Sequence, residues 1–162
     1  MKKIEIEGSV LLHYAYGLVM VFDQYETVPQ AHWTQQHQDQ GFARRERSVL
    51  FSTLRQEGKA RVNAFEGRPN DLNQGDRIIS VPLQILSGKL NIQGLEEWPI
   101  KRSVKVSPGV NTVILSQRID EGTDELVLDF FIDMLATDTS RILKADRSLN
   151  VPPVLLETAG SV

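Results

Sequence analysis

His32–Phe65 reads HWTQQHQDQGFARRERSVLFSTLRQEGKARVNAF. The Thr34 hydroxyl is a candidate N-cap, accepting from an orphan backbone N–H at a helix start. Gly41 supplies the left-handed residue that ends a helix. Gln35, Gln36, His37, Gln38, Asp39 and Gln40 lie between them with no apolar stripe. The segment therefore predicts a turn or two of exposed helix, with Trp33 as its buried anchor. The second half changes character. Ser48–Leu54 and Lys59–Phe65 read as strands, with Phe51 buried, and Arg55-Gln56-Glu57-Gly58 between them has hairpin spacing.

Working outward, the rest of the chain repeats the strand signal. Ile4 and Ile6 alternate with Lys3, Glu5 and Glu7 as a short half-buried strand. Val10, Leu12 and Tyr14 form a second alternation, and Gly17 marks a turn or bulge. Leu18–Phe22 is nearly all apolar, as a strand covered on both faces requires. Downstream, Arg77–Ile85 is rich in Ile and Val, and its Pro82 demands an edge or a bulge. Leu90 and Ile92 mark a short strand. Ile100, Val104 and Val106 share a phase that Arg102 breaks, which puts Arg102 at a strand start. Ser107-Pro108-Gly109 has type II turn chemistry. Asn111–Gln117 and the alternation from Leu126 to Asp133 follow. Residues 135–149 have weak helical or irregular character, and Val151-Pro152-Pro153 stops any regular element.

Roughly nine or ten short strands separated by turns predict an all-β fold, an antiparallel two-layer sandwich or jelly roll with one short helical segment. Helix should hold fewer than about a fifth of the residues. Residues 1–150 are expected to form a single β-sandwich domain, and 151–162 a loosely held C-terminal tail.

Composition narrows the function classes. The chain has 162 residues, 41% hydrophobic and 24% charged, enough for one sizeable core. A net charge of −3 and a pI near 5.6 argue against a protein that coats nucleic acid. Without cysteine there is no disulfide framework and no thiolate metal site. No apolar run is long enough to span a bilayer, and Glu5 and Glu7 interrupt what would follow a signal-peptide start at Met1-Lys2-Lys3. A cytoplasmic location is expected. Nucleophile-elbow, P-loop, dinucleotide-binding and zincin motifs are all missing, so the expectation is a binding protein without cofactor. His32 and His37 are five residues apart and cannot share a helical face. With Asp23 and Glu26 as the nearest carboxylates, no metal site is expected. Asp71–Asp76 lacks the Glu that closes a calcium loop and reads as an ordinary turn.

Several short motifs keep a common order and spacing: Trp33-Thr34, Gly41-Phe42-Ala43, Val49 with Phe51, Val81-Pro82-Leu83-Gln84-Ile85, the Gly88 turn, and Val106-Ser107-Pro108-Gly109. Together they resemble the competence protein J family from about Val10 to Ser116. Members of that family are small inhibitors of a DNA-entry nuclease. The resemblance implies a protein inhibitor of a DNA nuclease that blocks the DNA groove by non-covalent binding. Its motifs are structural, and no inhibitory residue carries over with them.

Two stretches suit such a partner. Between Arg118 and Asp133, Asp120, Glu121, Asp124, Glu125, Asp129 and Asp133 stand against Arg118, a balance of −5. Nucleases hold DNA in cationic grooves, so a row of carboxylates would steer and orient an inhibitor. Glu96-Glu97-Trp98 adds an aromatic anchor beside two more carboxylates. The expected partner-binding set is Glu96, Glu97, Trp98, Asp120, Glu121, Asp124 and Glu125, with a DNA nuclease as partner and no direct nucleic-acid binding. The basic cluster from Arg44 to Arg61, at +4, reads as a solvated face. The rival reading is a ligand-binding jelly roll, for example for carbohydrate, stacking on Trp33, Trp98 and Tyr25.

Overall fold

The computed structural model describes residues 1–134 and 139–160. Its strands are β1 (Ile6–Gly8), β2 (Leu11–Tyr14), β3 (Leu18–Asp23), β4 (Phe42–Arg44), β5 (Ser48–Ser52), β6 (Gly58–Glu66), β7 (Arg77–Ile85), β8 (Lys89–Gly94), β9 (Arg102–Lys105), β10 (Gly109–Ile119), β11 (Leu126–Asp133) and β12 (Arg141–Lys144). Helix among the described residues is confined to α1 (Gln35–Gln40) and a 3-10 turn at Leu72–Gln74. No helix there is long and apolar enough to cross a membrane.

The strands form two six-stranded sheets, β1-β9-β8-β3-β5-β4 and β12-β7-β10-β11-β6-β2. We call them sheet one and sheet two. Every pairing between strands is antiparallel except β6 with β11, which run parallel. The alternating residues explain the layering. Val19, Val21, Val49 and Phe51 of sheet one meet Val62, Val81, Leu83, Val113, Leu115 and Phe130 of sheet two in one buried core. β3 is apolar from Leu18 to Phe22 because both its faces are covered. Val19 and Val21 turn into the core, while Met20 and Phe22 turn outward to a second cluster with Ala31, Ala43 and Leu50. Met20 and Phe22 are at most 2% exposed, so each contributes roughly 1.5–3 kcal/mol by transfer.

Around α1 the local chemistry is as predicted. The Thr34 side chain accepts from the His37 N–H, the Thr34 N–H donates to His37 Nδ1 at 3.0 Å, and Gly41 closes the helix at φ 88°. Phe51 is fully buried. Trp33, expected to be buried, is only half-buried: it packs on the second cluster and donates from Nε1 to Gln38 at 3.2 Å. It shields an outer face and does not enter the core. Pro82 fits in β7 because β12 pairs only as far as Ser80, leaving Pro82 beyond the end of that ladder. There Arg44 Nε donates to the Pro82 carbonyl at 2.6 Å.

Three further expectations change. The Arg55–Gly58 connection is not a hairpin. β5 pairs within sheet one and β6 within sheet two, so the link is a corner between layers. Both strands carry inward apolar residues, and the four-residue link serves either geometry. Residues 141–144 within the supposedly irregular 135–149 form β12; residues 135–138 lie outside the described set. The tail is also not loosely held over 151–160. Gln40 and Leu156 exchange two hydrogen bonds at 2.9 and 3.1 Å. Arg44 Nη1 donates to the Glu157 carbonyl at 2.9 Å, and the Ala159 N–H donates to the Arg44 carbonyl at 2.7 Å. The apolar outer face of sheet one needs a cover, and Ala159 supplies part of it.

Candidate partner-binding surface

The registers bring four connections to one end of the sandwich. Tyr14 pairs with Gly58, Leu18 with Ser52, Val19 with Gly94, and Ile119 with Leu126. The β2–β3, β5–β6, β8–β9 and β10–β11 loops therefore leave from the same rim. Backbone hydrogen bonds join them. The Gly17 N–H donates to the Gln56 carbonyl at 2.7 Å, and the Thr53 N–H to the Gly17 carbonyl at 2.8 Å. Arg55 reaches across to the β10–β11 loop, donating to the Asp124 carbonyl at 2.6 Å and to its carboxylate at 2.7 Å. Glu96 stands close enough to Tyr16 for its carboxylate to push the phenol pKa up. The two acidic segments that lie far apart in sequence thus stand on one rim, linked through Tyr16, Gly17 and Arg55.

Beneath the rim lie two buried guanidinium groups. Arg102 opens β9, as its place in the alternation predicts, and points inward. It donates to Glu97 Oε1 and Oε2, both at 2.8 Å, and to the carbonyls of Ser9, Leu11 and Ile92 at 2.8, 3.0 and 2.7 Å. These contacts tie β2 of sheet two to β8 and β9 of sheet one. The layers are so close there that a Cβ on Gly94 would lie 1.9 Å from the His13 carbonyl oxygen, hence the glycine. Arg77 joins the layers elsewhere. It donates to Asp146 at 2.7 and 3.2 Å and to the Ser52 carbonyl and hydroxyl at 3.0 and 2.8 Å. Burial pushes the Asp146 carboxyl up, but hydrogen bonds from Arg77 and Ser148 outweigh it and hold the pKa down at about 2.

The seven sequence-predicted residues divide. Glu96 and Trp98 are exposed, with Trp98 at 50% and resting one edge near Phe22 at 6.5 Å between ring centres. Glu97 faces inward to Arg102. Burial raises its carboxyl, but the Arg102 hydrogen bonds and the Gly94 and His13 N–H groups leave it lowered. Asp120 accepts from the Thr123 N–H at 3.1 Å and hydroxyl at 2.7 Å, which holds it low. Glu121 and Asp124 are exposed and Glu125 half-buried. The rest of the acidic span lies apart from them on sheet two. Asp129 takes a hydrogen bond from Asn63 at 2.9 Å and an ion pair with Arg118 at 3.6 Å, and Asp133 pairs with Arg68 at 2.5 Å. The −5 of the sequence is therefore split between loop and sheet.

Other residue groups serve the fold. Arg44, Arg45, Arg47 and Arg55 reach five different partners, Pro82 and Glu157, Val28, Glu26, and Asp124, so the basic cluster forms no continuous patch. Asp23 is buried and accepts from Leu86 and Ser87, while His37 sits in the helix cap. Trp98 lines a cleft of about 300 Å³ with His13, Tyr14, Ala15, Glu96, Glu97 and Lys101, which neither Trp33 nor Tyr25 joins. Sequence reasoning missed Tyr16, Arg55 and Arg77. Tyr16-Gly17 did carry a signal, an aromatic residue beside a turn glycine.

Residues 11–132 match the family model of Competence protein J (ComJ). The chain belongs to the ComJ family. The match extends the resemblance through β11. Among solved structures, that of ComJ from Bacillus subtilis, titled an inhibitor of the DNA degrading activity of NucA, has a TM-score of 0.68. It is 18% identical, over 82% of this chain and 96% of that one. The product of "Crocagin biosynthetic gene J" matches with a TM-score of 0.51 at 16% identity, over 81% of this chain and 98% of that one. At these identities the structural likeness speaks for the fold. No curated protein matches the chain in sequence.

Proposed function

We propose that this chain is a protein inhibitor of a DNA nuclease and acts with the loop-bearing rim just described. The rim meets the nuclease's cationic DNA groove and blocks it without covalent chemistry. Membership of the ComJ family, and a B. subtilis relative titled an inhibitor of NucA, support the function. The observation that carries the choice of surface is convergence. Loops 15–17, 53–57, 95–101 and 120–125 hold seven carboxylates against Arg55 and Lys101. They stand over two buried arginine pins that fix their relative positions. A rigid acidic rim is what rapid docking to a cationic groove requires. The contact set is Glu96, Trp98, Asp120, Glu121, Asp124 and Glu125, with Glu97 positioning its neighbours from inside. The protein is no enzyme, needs no cofactor, binds no nucleic acid directly and works in the cytoplasm.

The test combines inhibition and kinetics. The nuclease that co-purifies with the tagged chain should lose its DNA-degrading activity at equimolar inhibitor. The fourfold replacement D120N, E121Q, D124N, E125Q should lower the association rate at low salt by about tenfold, with the difference shrinking as salt rises. Asn tolerates the left-handed backbone at Asp124 (φ 58°), so the fold should survive. An undiminished nuclease activity would sink the function. An unchanged low-salt association rate would move the interface off this rim.

One observation favours a second reading, the binding of a small polar ligand. Phe65 and Phe131 stack at 5.1 Å between ring centres on the outer face of sheet two. They line a concavity of about 640 Å³ with Asn63, Asp71, Arg118 and Asp129. A saccharide titration that shifts the resonances of these two rings would support it.

A further inference from the structure

The β2–β3 turn holds a residue that the fold alone would not choose. The Leu18 N–H donates to the Ala15 carbonyl at 3.3 Å across Tyr16 and Gly17. Both central residues have positive φ, 60° and 65°. Turns with two such residues strongly prefer Asn-Gly or Gly-Gly, because a bulky side chain is strained there. Tyr16 occupies the first position and is 69% exposed. It adds nothing to the core and holds an unfavourable backbone.

Ala15, the residue before Tyr16 in this turn, lines the cleft whose wall includes Glu96 and Trp98, and the nearby Glu96 carboxylate pushes the Tyr16 phenol pKa up. Of the two carboxylates in that cleft, Glu97 is engaged by Arg102, which leaves Glu96 to face an incoming group. Lys101 is the cation on the same wall. An exposed indole and a carboxylate in one cleft, with a phenol ring beside them, match a planar cation, which binds aromatic faces and donates charge-assisted hydrogen bonds.

We propose that Trp98, Glu96 and Tyr16 form a receptacle for an arginine side chain of the partner protein. The inference rests on the inhibitor reading for the identity of the partner, and supplies the chemistry by which the rim grips it. The guanidinium lies against the Trp98 indole, Glu96 accepts its N–H donors, and Tyr16 walls the open side. The left-handed backbone at Tyr16 is retained because it projects the ring there.

The receptacle is testable without a nuclease. Nα-acetyl-arginine amide is titrated into the ¹⁵N-labelled chain at fixed ionic strength, with the neutral citrulline analogue as control, and the Trp98 indole N–H resonance is followed. Arginine should shift that resonance saturably and citrulline should not. E96Q and Y16N should each weaken arginine binding by about threefold to fivefold. Y16N creates Asn-Gly, the preferred turn, so its melting temperature should hold or rise while binding falls. No saturable shift, an equal shift with citrulline, or full binding by both variants would overturn the receptacle. None of those results touches the nuclease reading, which stands or falls on inhibition.

Discussion

Arg102 places all its N–H groups on protein acceptors, and Glu97 is its counter-ion in the interior. Removing one charge of such a pair leaves the other buried without compensation. Glu97→Gln should therefore cost about 3–5 kcal/mol, read by urea denaturation. Adding Arg102→Met should recover part of that loss, and a double variant worse than the sum of its singles would contradict the coupling. Phe51 and Trp33 give a second comparison. Phe51→Ala empties a site in the sealed core and should cost about 3–5 kcal/mol. Trp33→Ala uncovers a half-buried outer cluster and should cost less than half as much in the same experiment. Equal losses would mean that Trp33 is as integral as a core residue. Its partial exposure follows from position: it precedes a helix that lies on sheet one, outside the two-sheet core.

Among the elements, α1 has an unusual cap. A capping box normally uses Glu or Gln at its third position, and here His37 fills that role. Its Nδ1 accepts from the Thr34 N–H, so the cap needs neutral imidazole. Burial first, and then nearby His32, lower the His37 pKa. In the unfolded chain the same ring takes up a proton near pH 6.5. The cap's contribution is therefore complete above that pH and is lost as pH falls from it towards the lower folded value. His37→Gln should keep the box and abolish this pH dependence, measured as melting temperature at pH 7 and pH 5. A His37 ring that titrates above about 6.5 by NMR would remove the argument. The cap itself was legible, because Thr34 and Gly41 are local signals with one meaning each. The strands were legible for the same reason, from Val19 and Val21 to Leu128 and Phe130. Which sheet each strand joins was not, since Arg55-Gln56-Glu57-Gly58 serves a hairpin and a corner equally. The arginine pins were hidden because their acceptors, such as Ser9 and Asp146, lie far along the chain. Of the candidate site, Glu96, Trp98 and the 120–125 loop were readable as charge and aromatic content. Their meeting on one rim depends on registers that no local pattern specifies.

For the molecule as a whole, the two layers are tied by Arg77 as well as by the core. Asp146 is held at about 2 in the folded protein against an ordinary 3.8. Its folded pKa is depressed, so its stabilisation is complete above pH 3.8 and disappears as pH falls through about 2. Because its carboxylate is partly exposed, the contribution is at most about 2 kcal/mol. Asp146→Asn should remove this portion of the acid limb of the stability curve, and an unchanged limb would assign it to other carboxylates. The same architecture bears on synthesis. On the ribosome β6 emerges well before its parallel partner β11, and β5 long before Gln40 and Arg44 of the neighbouring elements receive the segment around Leu156–Ala159. A nascent chain halted before Leu126 would present the β6 edge open along its length, an invitation to pair with a neighbour. The outer cluster of sheet one would also wait, half-covered, until Ala159 has emerged. Quality control should thus meet this fold late, after its two sheets have already been made.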